Sequence, residues 1–125
     1  MRKPIISLFS LLFIFLISCE RFTPEEKAEL SKGEEVYITH CISCHGPSGD
    51  GLNGAYPSLL KPQFTETITD NALNIIRHGS AAADGMKAVS LSDEELVQVV
   101  NYIQNNWSNE APLLSQSNLK SAQKL

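Results

Sequence analysis

Two cysteines and a histidine stand within five positions in the stretch CISCH, residues 41–45. Thiols at this spacing can form a redox disulfide, bind a metal ion or bond covalently to a third group. A redox pair of this type is expected beside a βαβ pattern, and no strand-like alternation follows the motif. A structural zinc site needs four ligands. The chain has no second cysteine pair to complete one, because Cys19 is its only other cysteine.

Covalent attachment of haem fits this motif best. Cys41 and Cys44 have the spacing at which two thiols add to the two vinyl groups of one porphyrin, and His45 follows directly, where its imidazole can reach the iron. One helical turn brings the three side chains to the same side of the backbone. The sequence therefore predicts one haem c, held through Cys41 and Cys44, with His45 as an iron ligand.

The first residues of the chain have the composition of an export signal. Arg2 and Lys3 precede an apolar run at residues 5–18, as in the basic and apolar regions of a signal peptide. The run is shorter than the roughly 20 residues that a membrane-spanning helix needs. We therefore expect the rest of the chain to be exported.

The end of this run, LISC at residues 16–19, resembles a bacterial lipobox, in which cleavage before the cysteine accompanies lipidation of its sulfur. We expect a lipoprotein signal peptide at 1–18, and a lipidated Cys19 with a short tether at 19–23. The domain would then be anchored by lipid to a bacterial membrane and face the periplasm or the cell exterior. The alternatives are an ordinary signal peptide with a chance cysteine, or an uncleaved anchor.

Without its first 18 residues the chain has 107 residues, with eight basic and fourteen acidic side chains. This length predicts one domain. The acidic balance disfavours nucleic acid as a partner, because nucleic-acid binding relies on basic patches that neutralise phosphate. A domain this small, in an exported chain, is of the kind that relies on disulfides or a bound group for stability.

The segments around the motif resemble the class I c-type cytochromes. Gly33 and Tyr37 lie eight and four residues before Cys41, the offsets at which that family carries a glycine and an aromatic residue where its N-terminal helix crosses its C-terminal helix. The resemblance covers residues 24–107. It implies an all-α class I fold, with three to four helices around one covalently bound haem.

Capping signals predict where the helices begin. Thr23, with proline next and Glu26 at the third helical position, predicts the start of the first helix, and Ser92 with Glu95 predicts the start of the last. A further helix is expected within residues 69–79, beginning with Thr69 or Asp70 as its cap and ending at Gly79. The last helix carries an apolar stripe of Leu96, Val99, Val100, Ile103 and Trp107. The polar segment 108–125 lacks such periodicity and is expected to be a flexible tail.

The resemblance also implies roles for residues outside the motif. Pro57 stands where the family has a proline whose carbonyl accepts a hydrogen bond from Nδ1 of the haem histidine, and Leu59 follows it as an apolar haem contact. Met86, the only methionine besides the initiator, corresponds to the sixth ligand of the iron. The chain departs from many relatives in having Lys87, rather than proline, directly after this methionine.

Other side chains compete for roles at the haem. His78, at the end of a predicted helix, is interpreted as a partner of the helix dipole or a neighbour of a haem propionate, and it is the alternative sixth ligand. His40 directly precedes Cys41 and is interpreted as a surface histidine. Arg77 is a candidate partner of a haem propionate or, equally, a solvated side chain.

Two protein ligands would leave the iron no open position for a substrate. The resemblance therefore implies an electron carrier rather than an enzyme, which passes single electrons through an exposed haem edge to redox partners, expected to be membrane-bound. Two alternatives stay open at this point. The chain could be the electron-entry subunit of a larger membrane oxidoreductase, or a haem enzyme or sensor in which Met86 is displaced.

Overall fold

A computed structural model describes residues 20–52, 55–60, 70–80 and 85–122 of the chain. Within these residues every regular element is a helix, which confirms the all-α prediction. The helices are α1 (Pro24–His40), α2 (Ile42–His45), α3 (Asp70–His78), α4 (Asp93–Asn105) and α5 (Gln116–Ala122). None of these helices is both long and apolar enough to cross a bilayer. The predicted signal peptide, Cys19 and the candidate cap Thr69 lie outside the described residues.

The two long helices begin with the capping boxes that the sequence predicts. The Thr23 hydroxyl accepts the Glu26 amide at 3.2 Å, and the Glu26 carboxylate accepts the Thr23 amide at 2.8 Å. Ser92 and Glu95 make the same reciprocal pair at 3.2 and 2.8 Å. Hydrogen bonds from the Ser92 backbone and hydroxyl hold the pKa of Glu95 below its usual range. Each box satisfies amides that would otherwise lack a partner at a helix start.

The helices α1 and α4 cross in direct backbone contact at Gly33. A Cβ atom at this position would lie 2.1 Å from the carbonyl oxygen of Gln98 and 2.9 Å from Cβ of Tyr102. The Gln98 side chain also donates to Glu29 across the crossing, at 2.8 Å. The buried apolar core lies mainly around this crossing. Its members are Tyr37, Cys41, Leu73, Leu96, Val97, Val99, Val100, Ala111 and Leu119.

The last helix ends earlier than its apolar stripe predicts. It stops at Asn105, and Trp107 has a φ of +54°, a left-handed conformation in which a bulky residue is uncommon. This bend carries the Trp107 ring back over Gly49. A Cβ atom added at Gly49 would lie 2.6 Å from the Trp107 ring. The indole N–H donates to the carbonyl of Pro47 at 3.1 Å. Trp107 therefore secures the loop after the CISCH motif instead of extending the stripe of α4.

The segment after Trp107, which the sequence predicts to be a flexible tail, has contacts with the domain as far as Leu119. Asn101 holds Leu114 with two hydrogen bonds. Its side-chain NH₂ donates to the Leu114 carbonyl at 3.0 Å, and its side-chain oxygen accepts the Leu114 backbone amide at 2.7 Å. Leu119 of α5 is only 2% exposed. Sequence reasoning missed these contacts, because a buried asparagine makes them and such a contact leaves no periodic apolar pattern in the sequence.

The residues before α1 are held against the same segment. Arg21 donates to the side chain of Asn105 at 2.9 Å and forms an ion pair with Glu110 at 3.4 Å. Its guanidinium also lies 4.9 Å from the centre of the Phe22 ring. The described part of the expected tether therefore follows the domain surface instead of standing free of it.

Candidate haem-attachment site

The CISCH motif begins directly where α1 ends. The Cys41 amide donates to the carbonyl of Tyr37 at 2.8 Å, and the amides of Cys44 and His45 both donate to the carbonyl of Cys41, at 3.1 and 2.9 Å. These bonds wind residues 42–45 into the single turn of α2. Cys41 and His45 are buried, Cys44 is half-buried, and the thiols are not joined in a disulfide.

Burial changes the acidity of the first thiol. The pKa of Cys41 is raised to about 11, mainly because the side chain is desolvated and further because Cys44 lies nearby. A redox-active pair needs a readily formed thiolate, and its reactive cysteine usually has a lowered pKa. The environment of Cys41 therefore disfavours the disulfide-exchange interpretation of this spacing.

The histidine ring has its orientation fixed by one backbone carbonyl. His45 Nδ1 lies 3.0 Å from the carbonyl oxygen of Pro57. Because a carbonyl can only accept, Nδ1 is the donor in this bond, and Nε2 is the ring nitrogen left for another partner. A metal-binding histidine is typically held in this way, with one ring nitrogen donating to the protein and the other left for the metal.

The glycine-rich loop brings Pro57 to that position. The Gly51 amide donates to the His45 carbonyl at 2.9 Å, and the Leu59 amide donates to the Gly49 carbonyl at 2.7 Å. Gly51 has a φ of +81°, and a Cβ there would lie 2.3 Å from the Tyr56 carbonyl oxygen. The loop therefore folds back on itself, and half-buried Leu59 packs against the edge of the core.

Tyr37 joins the helix crossing to the end of the motif. Its ring is 1% exposed and lies 5.5 Å from the ring of Tyr102 and 5.4 Å from that of Trp107. Its hydroxyl donates to the carbonyl of Gly46 at 2.7 Å. Sequence reasoning interpreted Tyr37 as a packing residue and missed this hydrogen bond, which depends on the path of the loop.

This tyrosine gives the first testable prediction. Burial, and secondarily Cys41, raises the pKa of Tyr37 to about 12, against about 10 for an exposed tyrosine. The folded state therefore keeps this proton longer than the unfolded state does, and the stabilisation present below pH 10 is lost as the pH rises towards 12. Between pH 9 and 11 the free energy of unfolding should fall by about 1 kcal/mol through this group.

Tyr37→Phe should remove this contribution to the fall in the free energy of unfolding at alkaline pH. It should also destabilise the protein by about 1–3 kcal/mol at neutral pH, because the buried Gly46 carbonyl loses its donor. Denaturant titrations at pH 7, 9 and 11 measure both effects, with Tyr56→Phe as the control, since Tyr56 is 46% exposed. An alkaline loss in Tyr37→Phe equal to that of the wild type would contradict the assignment.

Arg77 has a protein partner in the structure. Its guanidinium lies 2.5 Å from a carboxylate oxygen of Asp93, the first residue of α4. Sequence reasoning missed this pair, although its partner stands at a helix start where a carboxylate is expected. A contact of Arg77 with a haem propionate remains a prediction. The other two candidate residues, His40 and His78, are both exposed.

Met86 is half-buried, in a segment that lies beside the end of α3. Its carbonyl accepts the Ser80 amide at 2.9 Å, and the Val89 amide donates to the carbonyl of Ile76 at 2.8 Å. These two bonds join the short segment before α4 to α3 through the main chain. The role of Met86 as an iron ligand remains a prediction.

The donor set at the motif fits haem c. Cys41 and Cys44 are unpaired thiols on one helical turn, and His45 offers Nε2 while Nδ1 is held by Pro57. The family model described as "Cytochrome C oxidase, cbb3-type, subunit III" matches residues 28–103. The chain belongs to this family of c-type cytochrome domains. Such a domain carries haem c bound covalently to the protein.

Individual relatives agree with the family. The cytochrome c subunit of the quinone-dependent alcohol dehydrogenase of Gluconacetobacter polyoxogenes is 32% identical over 91 residues, which cover 64% of this chain and 19% of that subunit. The cbb3-type cytochrome c oxidase subunit CcoP of Helicobacter pylori (strain ATCC 700392 / 26695) is 28% identical over 82 residues, 62% of this chain and 27% of that subunit. Cytochrome c6 of Gracilaria tenuistipitata var. liui is 29% identical over 109 residues, 79% of this chain and 96% of that protein.

The relatives therefore differ in how much of them this cytochrome domain represents. The chain spans about a fifth of the alcohol dehydrogenase subunit and about a quarter of the oxidase subunit, but nearly all of cytochrome c6. The same kind of domain occurs both as a part of oxidoreductase subunits and as almost a whole small protein.

Proposed function

We propose that this cytochrome domain transfers single electrons by means of a haem c bound to Cys41 and Cys44, with His45 and Met86 as the two axial ligands. One observation carries the proposal. The buried imidazole of His45 is held through Nδ1 by the Pro57 carbonyl, which leaves Nε2 as the only ring atom for iron. When bound, the haem supplies the one-electron couple.

The protein residues have separate tasks in this proposal. Cys41 and Cys44 hold the porphyrin covalently, while His45 is kept in one tautomer and one orientation. Met86 would be the second iron ligand from the protein and would keep exogenous ligands from the iron. A thioether ligand also raises the reduction potential relative to a second histidine. Because both ligands would come from the protein, no iron position would be open to a substrate, and the domain would be a carrier and not a catalyst.

The test of the ligand set is Met86→Ala. The wild type should show the weak near-infrared sulfur-to-iron charge-transfer band when oxidised, and should not bind carbon monoxide readily when reduced at neutral pH. In Met86→Ala the band should vanish, the potential should fall and carbon monoxide should bind, while the haem stays attached. The matched control is His78→Ala, which removes the other candidate ligand and should leave all three properties unchanged.

The contradicting results are equally specific. If the wild type lacks the band and His78→Ala alters the spectrum, the iron has two histidine ligands. If the wild type binds carbon monoxide as readily as Met86→Ala does, the sixth site is open. An open site would favour a haem enzyme or sensor over a carrier.

The redox partners are proposed to be membrane oxidoreductases. Support comes from relatives whose names describe a subunit of an alcohol dehydrogenase and a subunit of an oxidase. Purification from membranes in mild detergent tests this proposal. A stoichiometric oxidoreductase subunit bound to the domain would make it an electron-entry subunit, whereas a haem protein recovered alone would favour a carrier that meets its partners by diffusion.

Lipidation at Cys19 is proposed as the means that keeps the domain at the membrane. Its support is the LISC sequence, followed by only four residues before α1, which span at most about 13 Å. Cys19→Ser should release the haem protein into the soluble fraction or leave the precursor unprocessed. Glu20→Gln, at the next position, is the control and should stay with the membrane. Processing and membrane retention of Cys19→Ser at wild-type levels would rule out the lipid anchor.

A further inference from the structure

The backbone around Met86 is attached to the C-terminal end of α3. Two main-chain hydrogen bonds make this attachment, from the Ser80 amide to the Met86 carbonyl at 2.9 Å and from the Val89 amide to the Ile76 carbonyl at 2.8 Å. Because both bonds join main-chain atoms, they fix the path of the backbone at Met86 independently of its side chain. We call this attachment, formed by residues 76–80 and 86–89, the α3 clamp.

Gly79 is the residue that lets the clamp close. It ends α3 by donating its amide to the carbonyl of Ile75 at 2.8 Å, with a φ of +80°, the left-handed conformation that glycine adopts at helix ends. A Cβ here would lie 2.8 Å from the Met86 carbonyl oxygen and 3.0 Å from the Ala88 amide nitrogen. Both neighbours are backbone atoms, so neither can rotate away. Any other residue at position 79 must therefore shift the Met86 segment relative to the end of α3.

Among the described residues of this segment, 85–92, the main-chain bonds to α3 are the contacts that restrict Met86. The next residue, Lys87, is exposed, and a lysine fixes no backbone dihedral angle as a proline would. The ion pair between Arg77 and Asp93 links α3 to the start of α4, and thus strengthens the connection beyond the clamp. The position of Met86 therefore depends mainly on contacts with the last turn of α3.

We propose that Gly79 is a positioning residue for the sixth iron ligand. By closing the α3 clamp, it sets how firmly Met86 holds its position at the iron and hence how well the site excludes other ligands. The inference rests on the proposed ligation by His45 and Met86. It adds a determinant of that ligation which lies outside the ligands themselves.

The experiment compares carbon monoxide binding by the ferrous holoproteins of the wild type, Gly79→Ala and Gly79→Asn. The covalent bonds to Cys41 and Cys44 keep the haem in place if the methionine is displaced, so the effect can be read in the spectrum. Strain of the size that non-glycine residues carry at positive φ corresponds to roughly tenfold in an equilibrium constant. We expect carbon monoxide to bind about tenfold more tightly to Gly79→Ala, with a weaker near-infrared band in the oxidised protein.

Gly79→Asn keeps the test decisive if Gly79→Ala fails to mature. Asparagine tolerates the left-handed conformation better, but it still places a Cβ against the Met86 carbonyl, so the same loosening is expected. Asn74→Gly is the control, because Asn74 is exposed in the middle of α3 and glycine weakens the helix without touching the clamp. The proposal would be overturned if both Gly79 variants excluded carbon monoxide as well as the wild type does. It would also be overturned if Asn74→Gly raised the affinity for carbon monoxide as much as the Gly79 variants do.

Amide hydrogen exchange separates failure of the clamp from failure of the ligand set. If the wild type itself lacks the near-infrared band and binds carbon monoxide, the proposed ligation is wrong. Exchange at the Ser80 and Val89 amides still measures how often the hydrogen bonds of the clamp open, whatever the iron ligands are. A roughly tenfold faster exchange in Gly79→Ala than in the wild type would support the clamp. Unchanged exchange at both amides would overturn it.

Discussion

Cys41→Ala combined with Cys44→Ala is expected to yield a chain without attached haem and without a cooperative unfolding transition. The buried core of the described residues is small, and α3 contributes only Leu73 to it. A single small core rarely supplies more than about 3–5 kcal/mol. A group that binds only the folded chain adds its binding free energy to stability. Among the described residues, α3 contacts the core through Leu73 and half-buried Ile76, so we expect α3 to separate from the α1–α4 pair when the haem is lost.

Circular dichroism and thermal melting of the purified double variant measure this effect. Ser43→Ala is the matched control, because Ser43 is exposed between the two cysteines and carries neither attachment atom. The control should keep its haem and melt like the wild type. A double variant with native helicity and a sharp transition would show that the haem is not needed for the fold.

Gly33→Ala should be the most damaging single substitution in the helix crossing. In an isolated helix this change would stabilise by about 1 kcal/mol. Here the new Cβ would lie 2.1 Å from the Gln98 carbonyl oxygen and 2.7 Å from its carbon, so α1 and α4 must separate. Overpacking of this kind typically costs about 1–3 kcal/mol of stability. The cost at Gly33 should lie at the upper end of this range, because the nearest neighbours are backbone atoms of Gln98, which cannot rotate away. A net loss of about 2 kcal/mol or more is expected.

Denaturant unfolding of the holoprotein tests this prediction, with Ser31→Ala as the control. Ser31 is exposed on the same helix, so alanine there should change the stability only by the small gain in helix propensity. If Gly33→Ala were as stable as Ser31→Ala, the close crossing of α1 and α4 would be wrong.

The parts of the fold that could be predicted from the sequence are those set by local chemistry. The capping boxes at Thr23 and Ser92 need only residues three positions apart, and both are present in the structure. The CISCH motif could be interpreted because covalent haem attachment demands a fixed spacing. Gly33 could be placed at a helix crossing through the family resemblance, and its contact with Gln98 confirms that placement.

The parts that could not be predicted depend on side chains meeting backbone far away in the sequence. Asn101 binds Leu114, and Trp107 leaves the helix to bind Pro47, sixty residues earlier. Neither contact produces a periodic pattern, because polar hydrogen bonds, and not an apolar face, hold each segment in position. The α3 clamp is of the same kind, since its bonds join main-chain atoms and carry no signal in residue type except the glycine.

The central claim is that this domain passes single electrons through a haem whose two axial positions are filled by His45 and Met86. The most direct measurement is a spectroelectrochemical titration of the haem absorbance at neutral pH, with and without carbon monoxide. We predict one reversible transition in which the potential changes by about 59 mV for each tenfold change in the ratio of oxidised to reduced haem, as expected for a one-electron couple. The midpoint potential should be the same with and without carbon monoxide. A midpoint that rises in carbon monoxide would show that the ferrous iron has an open site, because a ligand shifts an equilibrium towards the state that binds it, and it would contradict this account.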